Sequence, residues 1–320
     1  MPRVSSSYQP PFIFRNGHIS TIYAAVVRKV SIPKQHRERL ELPDGDFLDL
    51  DWTHSKSPST TVLILLHGLE GNAQRPYMLG SARALSEVGI DVCSVNMRGC
   101  SGEPNRLYRS YHSGATEDLI AVLDHLASAY AYNKVLLKGF SLGANLILKY
   151  LGDYAESVKR ITAAVAVSAP CDLHDCLLQL SMPKNRLYSN RFLTSLREKL
   201  KLKQRQFPEI LTDSLIRKVQ TLKDFDDLYT SKAHGFEDAI DYYQKCSSLP
   251  VLESIRVPTL LINAKDDSFL GPKCYPEAAG NSNENLYFES PKFGGHVGFY
   301  ASGKLFYHEA RALHFFDNYI

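Results

Sequence analysis

The chain has 320 residues, 44% hydrophobic and 22% charged, with a formal net charge of +3. That supplies ample material for a full core, and a balance so near neutral excludes the broad basic footprint of a nucleic-acid-binding protein. No apolar run approaches the ~20 residues that span a bilayer. The opening stretch lacks the basic start, apolar run and small-residue cleavage site of a secretory leader, so a cytoplasmic protein is expected. The six cysteines, Cys93, Cys100, Cys171, Cys176, Cys246 and Cys274, form no CxxC pair and no regular framework. Reduced thiols without assigned chemistry explain them best.

In chain order, residues 1–38 have no strong periodicity and are expected to wrap the core. Arg39–Leu42 and Phe47–Thr53 flank Pro43-Asp44-Gly45-Asp46, which predicts a hairpin at a sheet edge. From residue 61 onward two textures alternate. Thr61–His67, Asp91–Asn96, Lys134–Lys138, Ile161–Val167 and Thr259–Asn263 are short runs rich in Val, Ile and Leu. They read as buried parallel strands. Tyr77–Val88, Thr116–Ala127 and Leu142–Leu151 have helical spacing. The alternation predicts an α/β fold, a mostly parallel sheet with helices on both faces.

The alternation stops after Ala169-Pro170 and resumes near Val257-Pro258. The predicted organisation is one domain over 1–320 with a helical cap or lid inserted at 171–250. Within it, residues 184–205 hold eight basic residues and one acid, Glu198, with Leu193, Leu196 and Leu200 at helical spacing. The preferred reading is a core-facing stripe with a solvated charged face. The alternative is a lid that handles acyl chains or makes a peripheral contact with anionic lipid. Further on, Glu284–Glu289 reads as part of a native strand.

The chemistry centres on Gly139-Phe140-Ser141-Leu142-Gly143, set between a predicted strand and a predicted helix. This is the context of a nucleophile elbow: glycines flank the serine because the turn is too tight for side chains there. Ser141 then stands at a helix N-terminus, where developing negative charge is favoured. A serine needs a base, and the loop Gly294-Gly295-His296-Val297-Gly298 supplies His296. The acid should follow the strand before that loop, where Asp266 and Asp267 are adjacent. The register Asp267-Ser268-Phe269-Leu270-Gly271-Pro272 favours Asp267, with Asp266 shaping the turn. Two main-chain N–H groups should hold an oxyanion: Leu142, and Leu69 in His67-Gly68-Leu69-Glu70-Gly71. His67 then reads as a structural loop histidine. No HExxH, spaced Cys/His set, Walker loop or GxGxxG is present, so neither metal nor cofactor is expected.

With these residues placed, the chain resembles the YheT-like branch of the α/β-hydrolases, which includes animal proteins described as phospholipid-directed hydrolases. The most specific stretches are Arg15–His18, Met97–Arg106, Tyr111–Gly114, Gly139–Asn145 and Gly294–Phe299. The resemblance implies carboxylic-ester hydrolysis by a Ser141, Asp267, His296 triad under a helical cap, with a small-molecule ester, lipid-like ones included, as substrate. Animal members carry an N-terminal membrane anchor that is not read in this chain, which weakens the carry-over of membrane phospholipid. The same triad would serve thioesters, lactones or peptides. Outside enzymology, the alternative is a catalytically silent lipid-binding or scaffold protein.

Overall fold

A computed structural model describes the chain except residues 1–2, 33, 159 and 278–282. Among the described residues nine strands form one sheet: β1 Arg3–Val4, β2 His36–Glu41, β3 Phe47–Thr53, β4 Thr61–Leu66, β5 Asp91–Asn96, β6 Lys134–Phe140, β7 Ile161–Val167, β8 Thr259–Ile262 and β9 Leu286–Glu289. Their order is β1-β9-β8-β7-β6-β4-β5-β3-β2. β2 and β3 run antiparallel and every other neighbouring pair except β3–β5 is parallel. The alternating textures are thus realised as a mostly parallel sheet.

Successive side chains of a strand face opposite ways, and both faces here are apolar. Val62, Ile64 and Leu66 of β4 join the core beneath α3 (Thr116–Ala129) and α4 (Leu142–Asp153). Leu63 and Leu65 join the second core, beneath α2 (Pro76–Glu87) and α11 (Tyr307–Phe316). The bounds of these strands and helices lie within two residues of the sequence reading, and those of β5 and β7 coincide with it.

The hairpin differs more. The expected first strand begins at Arg39, whereas β2 begins at His36. Its pairing is electrostatic: Arg37 forks onto Asp51, Arg39 onto Asp49, and Glu38 accepts from Trp52 Nε1. Such a ladder of charges carries no hydrophobic alternation for a sequence pattern to catch.

The N-terminal residues include elements of their own. β1 pairs with β9 at the far edge, and α1 (Gly17–Ile22) continues as a π-helical segment, Tyr23–Val27. Asn16 caps α1, accepting from the N–H groups of His18 and Ile19.

Between β7 and β8 lie helices α5 (Leu173–Leu180), α6 (Arg186–Gln204), α7 (Asp213–Lys218), α8 (Leu222–Phe225), α9 (Ser231–His234) and α10 (Ala239–Cys246). Leu193, Leu196 and Leu200 of α6 are buried with Leu211, Ile216, Val219, Phe225 and Tyr229. Each such leucine contributes roughly 2 kcal/mol. Leu173 and Leu177 pack against Tyr242 and Tyr243 in a second small cluster. The leucine stripe faces a core as expected, but the charged face is not wholly solvated. Lys203 is buried, and Lys199 reaches inward to a buried carboxylate.

Candidate active site

β6 ends in a turn that places Ser141 at φ +51°, ψ −119°, a conformation costly for a residue with a side chain. Main-chain bonds hold it there. Ser141 N–H donates to Val167 O at 2.9 Å, and Ser141 O accepts from the N–H groups of Ala144 and Asn145. A Cβ on Gly139 would lie 2.4 Å from Gly143 O, and one on Gly143 would lie 2.6 Å from His67 O. Three chain segments therefore touch through bare backbone, the steric reason for glycine at both positions.

His296 meets Ser141 from the loop after β9. Its Nε2 is 2.9 Å from Ser141 Oγ, and its Nδ1 is 2.8 Å from Asp267 Oδ2. A carboxylate only accepts, so Nδ1–H donates to Asp267 and Nε2 accepts from the Ser141 hydroxyl. Asp267 Oδ1 is occupied by the N–H of Phe269, whose ring stacks on His296 with centroids 4.2 Å apart. The neighbouring aspartate serves the loop: Asp266 Oδ1 accepts from Gly295 N–H at 2.8 Å, while Oδ2 is buried without a hydrogen bond. Burial, and then the charge of Asp267, push the Asp266 carboxyl up to about 6.

Leu69 and Leu142 both line the cavity beside Ser141. As the first residue of α4, Leu142 has a main-chain N–H with no partner inside the helix. A Cβ on Gly68 would fall 3.0 Å from the Ser141 Cβ, so the loop bearing Leu69 is pressed against the serine. His67 is buried and pushed down to about 4 by desolvation. In its neutral form Nδ1–H donates to Gly68 O and Nε2 accepts from Met97 N–H. It is spent on shaping the loop. His112 likewise packs inside: its Nδ1 accepts from Gly114 N–H, and its ring lies 4.3 Å from that of His234. Among the described residues no group of three or more His, Cys, Asp or Glu side chains could hold a metal ion.

Four residues at the site carry no sequence motif for their part in it. Thr21 Oγ1 accepts the N–H of His296 at 2.8 Å, and Ser168 Oγ accepts that of Val297 at 3.0 Å. Val297 has φ +61°, a real outlier for a β-branched residue, so these two bonds fix a strained loop. Phe269 covers a face of the imidazole. Glu70 is the fourth, also at positive φ (+54°). Its buried carboxylate accepts from Tyr111 Oη at 2.7 Å, Lys199 Nζ at 2.8 Å and Ser195 Oγ at 2.5 Å. Burial opposes the charged form, but Lys199 and these donors outweigh it and hold the carboxyl below its usual range. Helix α6 is thereby bolted to the loop that carries Leu69. The string Arg15–His18 offered one indirect signal, for a Cβ on Gly17 would lie 2.3 Å from Asp266 O.

Above these groups lies a cavity of about 400 Å³, lined by Ser141, Leu142 and Phe269 below and by Leu177, Leu196 and Phe225 among the residues of the insertion. Its size falls within the roughly 300–1,000 Å³ of small-molecule sites. A family model described as the alpha/beta hydrolase fold matches residues 61–302. The chain belongs to the α/β-hydrolase family. As a member it is 36% identical over 299 residues to the putative esterase YheT of Escherichia coli, covering 92% of this chain and 87% of that protein. It is 28% identical over 306 residues to the phospholipase ABHD3 of Homo sapiens, covering 93% and 75%. Among solved structures, the esterase Pf2001 of Pyrococcus furiosus superposes with a TM-score of 0.58 at 17% identity, covering 99% of this α/β-hydrolase chain and 98% of that one. The last likeness is one of fold.

Proposed function

We propose that this α/β-hydrolase cleaves carboxylic esters through an acyl-enzyme, with Ser141 as nucleophile, His296 as base and Asp267 as the acid that orients it. The observation that carries this reading is the ordered chain of hydrogen bonds Ser141–His296–Asp267, at 2.9 and 2.8 Å. The Ser141 hydroxyl passes its proton to Nε2 as Oγ attacks the ester carbonyl. Asp267 fixes the tautomer and stabilises the imidazolium that forms. The N–H groups of Leu69 and Leu142 receive the oxyanion. Protonated His296 then returns its proton to the leaving alkoxide, and a water activated by the same nitrogen releases the acid.

The apolar lining contributed by Leu177, Leu196 and Phe225 suits an acyl chain better than a polar peptide, so esters with apolar acyl groups are the favoured substrates. The insertion at 171–250 is assigned as the cap over that chain, and the kinship to the YheT esterase supports placing the protein in that branch. Labelling by a fluorophosphonate, compared in wild type, Ser141→Ala and His296→Ala, is the test. Labelling that requires both residues is expected, followed by turnover of acetate, butyrate, octanoate and palmitate esters with a preference set by chain length. A folded wild type that neither labels nor turns over any ester overturns the reading.

A further inference from the structure

The helix that buttresses His296 is inside out. Along Gly17–Val27 the buried residues are small or polar, Ser20, Thr21 and Ala24, with Tyr23 half-buried against Phe14 and Tyr300. The residues turned to water are Ile19, Ile22 and Val26, at the three- and four-residue spacing of one helix face, with Val27 beside them. Val26 is 64% exposed, and just upstream Phe12 is 86% exposed and Ile13 59%. A surface helix of a monomer normally orients the other way, with its apolar stripe inward. An apolar patch of this kind marks a contact surface.

The charge around the patch says what it meets. Residues 1–37 contain no Asp or Glu, and Arg15, Lys29 and Lys34 are exposed there. The patch adjoins a second segment of the same character. His18 of α1 lies against Tyr188 at the start of α6, with His18 Nδ1 3.0 Å from Tyr188 Oη and the rings stacked. Beside Tyr188, Leu187 is 69% exposed, flanked by the exposed Lys184, Arg186 and Arg191. Large apolar side chains rimmed by Lys and Arg are the composition of an element lying in the interface of an anionic bilayer. Pairing with a second copy would set these like charges against each other.

We infer that the outer face of Gly17–Val27, with Phe12, Ile13 and Leu187, docks on an anionic phospholipid surface. The inner face of the same helix holds the His296 main chain through Thr21, so the bilayer would rest about one helix diameter, ~10 Å, from the site. The docking does not depend on the hydrolase reading.

Co-sedimentation of the full chain with phosphatidylcholine vesicles, with and without phosphatidylglycerol, tests it. Wild type is expected to pellet with the phosphatidylglycerol vesicles and to release as salt is raised. Phe12→Ser/Val26→Ser is expected to bind at least about tenfold more weakly, the factor implied by losing a buried phenyl ring. Its circular dichroism and turnover of a short soluble ester should stay unchanged, and Ser141→Ala should pellet like wild type. Failure of wild type to pellet, or equal pelleting of the double variant, overturns the inference. So does sedimentation velocity showing a dimer that the same substitutions dissolve, without vesicle binding; that result gives the face to a second copy.

Discussion

Beneath the cavity, Ser141 and its neighbours are held by main-chain hydrogen bonds and by glycines that let backbones touch. Above it, α6 reaches down through side chains. Lys199 and Ser195 bind the Glu70 carboxylate, and Lys203 donates to the carbonyls of Asn105 and Leu107. The base of the insertion is fastened the same way, by Asn145, which donates to Ser113 O and Cys246 O. The turn at Ser141 is therefore intolerant of added volume. The roof depends on a few desolvated polar links. In such links, the loss of one partner costs far more than the pair contributes when intact.

Substitutions that touch one region and spare the other sharpen this contrast. The largest effect is expected from Asp267→Asn, which leaves the His296 tautomer unsupported and should lower kcat by about 10⁴-fold, whereas Asp266→Asn should leave kcat within a few fold; steady-state ester kinetics compares them. On the roof, Lys199→Met strands the Glu70 charge and should cost about 3 kcal/mol in denaturant unfolding. Much of that should return in Glu70→Gln/Lys199→Met. Equal losses in the single and double variants would break the idea of a charge-bolted roof.

On the floor, Gly68→Ala pushes a methyl toward Ser141 and should lower kcat about 10²-fold while the unfolding midpoint barely moves. The smallest effect concerns pH. The Asp266 carboxyl titrates near 6 in the folded chain against an ordinary 3.8, so the folded state holds its proton more tightly. Stability then falls as pH rises through that window, by on the order of 2 kcal/mol. Asp266→Asn should remove this loss, raising the denaturation midpoint at about pH 8 and not at about pH 4.

The floor was the more legible region. Val62–Leu66, Ile161–Val167 and the glycines around Ser141 announce themselves because their constraint is local: burial of consecutive residues, or a turn too tight for a Cβ. Thr21 and Ser168 escaped because their contacts are made across the fold. In α6 the pattern held more than was read from it. Leu196, Lys199, Leu200 and Lys203 stand at i, i+3, i+4 and i+7, one face of one helix. Two lysines there look like the solvated edge of an amphipathic stripe until Glu70 and the Asn105–Arg109 carbonyls are seen opposite them. The first strand of the hairpin was clipped for a similar reason, since its partners are carboxylates on β3 and not a hydrophobic face.

The bond from His296 N–H to Thr21 Oγ1 joins residues 275 positions apart. Thr21 is synthesised 275 residues before His296, so the imidazole loop lacks this seat until the chain has been made past both. A chain cut short of His296 would hold Ser141 in its turn without the base proposed for it. Seating the imidazole loop and closing the fold over these distant segments are therefore one event.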